Sequence, residues 1–173
     1  MNMNFFLKYT IIGTLIGLAI YYFYPEKKLP PNVKIDKMVV LKSERKLQVF
    51  SDGQLLKTYT ISLGRNPVGD KEFEGDKKTP EGFYTINDKN PNSGYYKNLG
   101  ISYPNQDDIE RAKEIGKPAG GDIKIHGIRN GIGIIGKFQR FSDWTAGCIA
   151  LTNSEMEDIY EHTPVGTPIE IRP

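Results

Sequence analysis

Cys148, the only cysteine in the 173-residue chain, and the two histidines His126 and His162 are the residue types here that can share nucleophilic chemistry. A thiol of ordinary pKa is only a few per cent thiolate near neutral pH, so catalysis requires an imidazole to take its proton or pair with the thiolate. The bland alternative is a buried thiol acting as a small hydrophobe. A single cysteine also excludes an intramolecular disulfide and any zinc site built from paired thiolates.

Cys148 lies in Trp144-Thr145-Ala146-Gly147-Cys148-Ile149-Ala150-Leu151, where small residues lead from an aromatic into an apolar stretch. Thr145, Ala146 and Gly147 read as a tight turn whose backbone N–H groups, with that of Cys148, can face a developing oxyanion; one such donor is worth on the order of 100-fold in rate. His126 is followed by Gly127, whose missing side chain admits another backbone or a substrate. His162 falls at the end of a polar helical stretch, where a cationic side chain suits the helix dipole. Asp122 and Asp143 are near in sequence but neither is evidently placed to orient the imidazole, a task a backbone carbonyl can also perform.

These residues need a frame, and the pattern is that of β-structure. Met38–Leu41 is rich in β-formers, Lys46–Phe50 alternates polar with apolar, and Asp52-Gly53 is a hairpin signal before a strand over Leu55–Leu63. Turn residues fill Gly64–Gly69, and Gly82–Ile86 gives a further strand. Asp122–His126 alternates and delivers His126 to its end, and Pro168–Ile171 closes the chain. Two short helices are expected: Ile109–Ile115 after the acidic pair Asp107-Asp108, and Ser154–His162 after the capping-box spacing of Thr152 and Glu155. The fold class is mainly β, a sandwich or barrel with short helices.

Phe5–Tyr24 is apolar apart from Lys8, two threonines and aromatic hydroxyls, and matches the roughly 20 residues of a membrane-spanning helix. Tyr21, Tyr22 and Tyr24 sit where amphipathic rings favour the interface. A signal peptide is the rival, but the bulky Ile20–Tyr24 offers no small-residue cleavage site. The expected division is a membrane anchor over residues 1–28, a stiff Pro30-Pro31 linker over 29–35 and a catalytic domain over 36–173. The net charge of +2, from 23 basic and 21 acidic residues without long runs of either sign, gives no nucleic-acid footprint.

His126-Gly127 followed by Thr145-Ala146-Gly147-Cys148-Ile149 resembles the signature of the L,D-transpeptidase catalytic domain family, the YkuD type: His-Gly, a spacer, then Ser/Thr-x-Gly-Cys. Gly64–Lys71, Gly75–Tyr84 and Gly166–Ile169 also look like family blocks, so the resemblance covers most of Asp36–Arg172. It implies a β-sandwich-like domain in which Cys148 attacks the bond after the third residue of a peptidoglycan stem peptide. His126, oriented by a backbone carbonyl, carries the protons, and the thioester passes to an amine or to water. No metal or organic cofactor is implied. The implied setting is the bacterial cell envelope, with the domain in the periplasm or otherwise outside the cytoplasmic membrane, acting in wall cross-linking, remodelling and cell shape.

Asp143–Asn153 with Ser102-Tyr103-Pro104-Asn105 looks like the YafK-like branch, which includes a hydrolase that detaches lipoprotein from peptidoglycan, so transfer and hydrolysis both stay open. Tyr103 and Trp144 are candidate substrate-cleft residues alongside Gly127, with aromatic core packing the alternative for the two rings. Many members carry Arg two residues after the cysteine, where this chain has Ala150, so substrate carboxylate binding is expected to differ. A sortase would share the anchor and the order His before Cys, but Thr145-Ala146-Gly147-Cys148 lacks its Thr-Leu-x-Thr-Cys block. A noncatalytic wall-binding domain would be free to lose the thiol or the imidazole, and both are present. The acceptor and the oligomeric state stay undetermined.

Overall fold

Strands β1 (Lys37–Leu41) and β2 (Lys46–Ser51) form a hairpin, and β3 (Gln54–Thr60) folds back on β2 through Asp52-Gly53. Both turn residues take positive φ, 49° and 74°, the geometry whose twist matches paired strands. These coordinates, a computed structural model, describe residues 3–173, with side chains from residue 6 onward. Met1 and Asn2 of the expected anchor lie outside the described residues.

The remaining strands are β4 (Gly82–Ser93), β5 (Tyr96–Ile101), β6 (Lys124–His126), β7 (Ile149–Ala150) and β8 (Pro168–Arg172). They join one mixed sheet in the order β3-β2-β1-β8-β4-β5-β6-β7. Strand β4 is far longer than the Gly82–Ile86 segment expected. Gly82–Thr85 pairs with β8, and from Ile86 onward the strand pairs with β5, with a register shift between Ile86 and Asp88. Such a strand, changing partners at an irregularity, turns the corner between two layers. The curl closes where Ser62, just past β3, bridges Ala150 of β7 with reciprocal bonds of 3.0 and 2.8 Å.

Between the layers lie Val40, Leu47, Val49, Ile61, Leu99, Ile125, Ile149 and Ile169, each 0 or 1% exposed. Burying one such side chain contributes about 1.5–3 kcal/mol. Helix α2 (Gln106–Glu114) starts earlier than expected because Asn105 caps it reciprocally with Asp108. Helix α3 (Asn153–His162) carries the expected Thr152/Glu155 capping box. The 3-10 segment Gly133–Phe141, kinked at Gly136, was not anticipated.

The 29–35 segment is packed on the domain. Leu29 and Ile35 are buried in the core, the Leu29 N–H donates to Asp158 Oδ1 of α3 at 3.0 Å, and the Ile35 N–H to the His162 carbonyl at 2.9 Å. Asp158 also accepts from Lys57 Nζ and Tyr59 Oη, each at 2.8 Å, so one carboxylate ties this segment, α3 and β3 together. Ahead of it runs helix α1 (Met3–Phe23), of which Phe6–Phe23 is long and apolar enough to cross a bilayer.

The stretch between β3 and β4 is irregular yet held from inside. Lys42 Nζ, 2% exposed, donates to Gly69 O, Thr79 O and Glu81 Oε1 at 2.6–2.8 Å. Asp76 accepts from Lys71 Nζ and from the N–H groups of Glu72, Phe73 and Lys78. Those bonds outweigh the effect of burial and hold its carboxyl below the usual range.

Candidate active site

Strands β6 and β7 run parallel with Ile125 opposite Ile149 and His126 opposite Ala150. Side chains alternate across a strand. Ile125 and Ile149 enter the core, which puts His126 and Cys148, the residue leading into β7, together on the other face. That face opens into a cleft of about 730 Å³ lined by both residues and by Tyr95, Asn98, Trp144 and Ala146.

The His126 Nδ1 lies 2.7 Å from the Gly127 carbonyl. A carbonyl only accepts, so Nδ1 carries the proton and Nε2 is left as the basic nitrogen. Nε2 has no hydrogen-bond partner among the described residues. The ring is 6% exposed, with Tyr95 at 4.7 Å and Trp144 at 5.6 Å between centroids. Burial is the dominant influence on its pKa and, with the nearby Lys124 charge, lowers it despite the Gly127 bond.

Cys148 is half-buried, and its thiol donates to the Asp122 carbonyl at 3.6 Å. Burial pushes the thiol pKa up, against the opposing pull of the Lys124 N–H. Both shifts favour the uncharged forms, thiol and imidazole. The geometry suits general-base activation of a neutral nucleophile.

The turn before Cys148 is stitched to the β3–β4 stretch. The Thr145 N–H bonds Leu63 O at 3.1 Å and the Arg65 N–H bonds Thr145 O at 3.0 Å. Thr145 Oγ1 donates to Cys148 O at 2.7 Å and accepts the Gly147 N–H at 3.1 Å. That last bond corrects the expectation for Gly147: its N–H is spent inside the turn. The Cys148 N–H has no acceptor among the described residues, which leaves it available to an oxyanion. Gly147 has another reason to be glycine, since φ is 136° and a Cβ would come within 2.7 Å of Lys78 O.

Two further expected residues are placed elsewhere. Tyr103, 6% exposed, packs edge-on to Tyr84 and donates to Ala119 O at 2.9 Å, a core position away from the cleft. Gly127 does not line the cleft either: a Cβ there would meet Asn153 Oδ1 at 2.8 Å and Tyr96 Cβ at 2.9 Å, so protein occupies the space. Trp144 does line the cleft, and its Nε1–H donates to Gln139 Oε1 at 2.9 Å.

Sequence reasoning missed Asn98, Tyr95 and the cations Arg65, Lys77 and Arg129, all on the cleft wall. Asn98 lies opposite His126 in the β5–β6 ladder, is 4% exposed, and its Oδ1 is buried without a hydrogen-bond partner. With Lys124 the cations outnumber the one acid on the wall, Asp122, which favours an anionic ligand. Ala150 is fully buried in β7, so any charge for a substrate carboxylate comes from these other positions. The charge excess could have been sought in sequence, but Arg65 and Arg129 lie far apart there.

A mainly β, curled sheet with one cysteine and one histidine lining its cleft defines the class of fold and site, and the family match names it. The model of the YkuD family, the L,D-transpeptidase catalytic domain, matches residues 36–171, and the chain belongs to that family. A relative carrying the L,D-transpeptidase name, YafK of Escherichia coli strain K12, is 32% identical over 128 residues, covering 70% of this chain and 44% of that protein. The chain thus spans less than half of YafK. Among solved structures, the helical cell shape determining protein Pgp2 from Campylobacter jejuni aligns with a TM-score of 0.59 and 28% identity, over 84% of this chain and 50% of that one. An L,D-transpeptidase from Mycobacterium smegmatis shares the fold, with a TM-score of 0.51 and 18% identity over 79% and 58% of the two chains.

Proposed function

We propose that the domain is a cysteine acyltransferase acting on peptidoglycan stem peptides, with Cys148 as nucleophile and His126 as base. The observation that carries this reading is the β6–β7 register, which sets the two side chains on one face, with the His126 Nδ1–H tied to a carbonyl and Nε2 left free. In the proposed reaction Nε2 takes the thiol proton as sulfur attacks the carbonyl of the third stem residue. The Cys148 N–H donates to the oxyanion. Imidazolium then protonates the leaving amine, giving a thioester; an incoming amine loses its proton to Nε2, attacks, and releases the enzyme. Arg65, Lys77 and Arg129 meet the carboxylates of the stem, the role left open by Ala150.

In the same reading α1 spans the cytoplasmic membrane with its N-terminus inside and the domain outside, in the cell envelope. The envelope setting implied by the family supports this orientation; Lys8 at one end is countered by Lys27 and Lys28 at the other, and the tyrosines mark an interface without choosing its side.

The test is to incubate the full chain and its Cys148→Ala variant with disaccharide tetrapeptide and an amine acceptor, and to follow products by mass spectrometry. Cysteine-dependent cross-linked product is expected. Cysteine-dependent release without transfer assigns the same pair to hydrolysis, and identical product profiles from the two proteins overturn the catalytic reading.

A further inference from the structure

The surface of the 3-10 segment beside the cleft has an unusual apolar cover. Ile134 is 83% exposed, Phe141 66%, Ile132 48% and Phe138 38%. Singly exposed apolar side chains mean little, but a contiguous group marks an interaction surface. This group touches the outer end of α1. Tyr21 stacks on Phe141 at 5.8 Å, Tyr22 meets Phe138 at 5.2 Å, and Tyr22 Oη donates to Ile134 O at 2.5 Å.

Polar bonds fix the same junction. Lys137 Nζ donates to the carbonyl of Tyr21, in the last turn of the helix, and to that of Tyr24 just past it. Glu26, next in the chain, pairs with Lys137 at 3.1 Å and Arg140 at 3.0 Å, and Arg140 pairs with Glu155 of α3 at 2.7 Å. With Leu29 in the domain core, α1 is not tethered through a loose linker but clamped to the domain.

We infer that Ile134, Phe138 and Phe141 form a docking surface for the lipid bilayer, seating the domain on the membrane with its cleft at the headgroup level. The inference rests on the proposed membrane-spanning role of α1. If α1 spans, Tyr21, Tyr22 and Tyr24 lie at the interface, and the apolar side chains packed against them lie at the same depth. A bilayer is the occupant this surface fits because it packs directly against α1, whose own apolar side chains are exposed along its length. Lys27 and Lys28, exposed beside it, suit a phosphate-bearing headgroup layer. The cleft is joined to this surface: Gln139 holds Trp144, and Ile132 belongs to both the patch and the cleft wall. The stem peptides it takes are then those presented close to the membrane.

The test places single tryptophans at Ile134, Phe141, Ile12 or Phe83 of the full chain in a Trp144→Phe background, reconstituted in phosphatidylcholine/phosphatidylglycerol vesicles. Quenching by lipids brominated at shallow or deep acyl positions then reports depth. The expected result is shallow quenching at 134 and 141, deep quenching at 12 and none at 83. Deep quenching at 12 with none at 134 and 141 overturns the docking surface and leaves the anchor intact. Blue-shifted emission at 134 and 141 without quenching overturns the bilayer in favour of a protein cover such as a second copy. Absence of quenching at 12 removes the membrane-spanning reading and the docking surface with it.

Discussion

The imidazole of His126 is held by the carbonyl of its own neighbour, Gly127, through a 2.7 Å bond from Nδ1. The tautomer is therefore set without a carboxylate. Among the described residues nothing next to Nδ1 is charged to stabilise imidazolium, and burial works against it.

Cys148 should behave as a high-pKa thiol. Alkylation by iodoacetamide is expected to accelerate with pH into the range above about 8.5, where an ordinary thiol ionises, instead of levelling off near pH 5–6. A plateau at acidic pH would mean a stable thiolate–imidazolium pair and contradict the neutral ground state.

The sign for His126 follows from its lowered pKa. The folded protein gives up the imidazole proton more readily than the unfolded chain, so acidification through and below about pH 6.5 removes stability. Acylation, which needs the free base, should fall over the lower part of the same window. His126→Gln should abolish that acid limb along with most of the activity, and a kcat/KM profile of the two proteins decides the matter.

Asn98 has a buried Oδ1 with no partner, at a cost of about 1–3 kcal/mol. If substrate supplies the missing donor, Asn98→Ala should raise KM about tenfold while leaving the melting temperature unchanged or higher. A lower melting temperature with unaltered KM would assign Asn98 a packing role.

Removing Asp76 leaves Lys71, 4% exposed in its side chain, without its 2.7 Å partner. Asp76→Ala should cost about 3–5 kcal/mol, measured by urea unfolding. Activity should drop as well, because Lys77 and Lys78 in this stretch back Gly64 and Gly147 directly. A loss below 1 kcal/mol would show that the stretch is held without the pair.

That Cys148 and His126 share one cleft was legible because the chain offers one thiol and two imidazoles, and His126 ends a strand whose alternation is plain. The Asp52-Gly53 turn and the Thr152/Glu155 cap were legible because each signal is local. Strand β5 and the second half of β4 were not. Asn90-Pro91-Asn92-Ser93-Gly94 is dense with turn formers, and only pairing across the sheet corner makes the flanks strands. The same long-range pairing hid Asn98, which matters because it lies opposite His126. For Tyr103 the sequence left cleft wall and core packing both open, and only its packing against Tyr84 places it in the core. The consecutive prolines at 30 and 31 gave no sign that Leu29 plugs into the core.

The most direct measurement is intact-protein mass spectrometry of the full chain at early times after mixing with disaccharide tetrapeptide. A transient adduct of the disaccharide tripeptide acyl group on Cys148, with release of the terminal amino acid and absence from Cys148→Ala, is the predicted result. Stem cleavage that proceeds unchanged in Cys148→Ala would contradict the account.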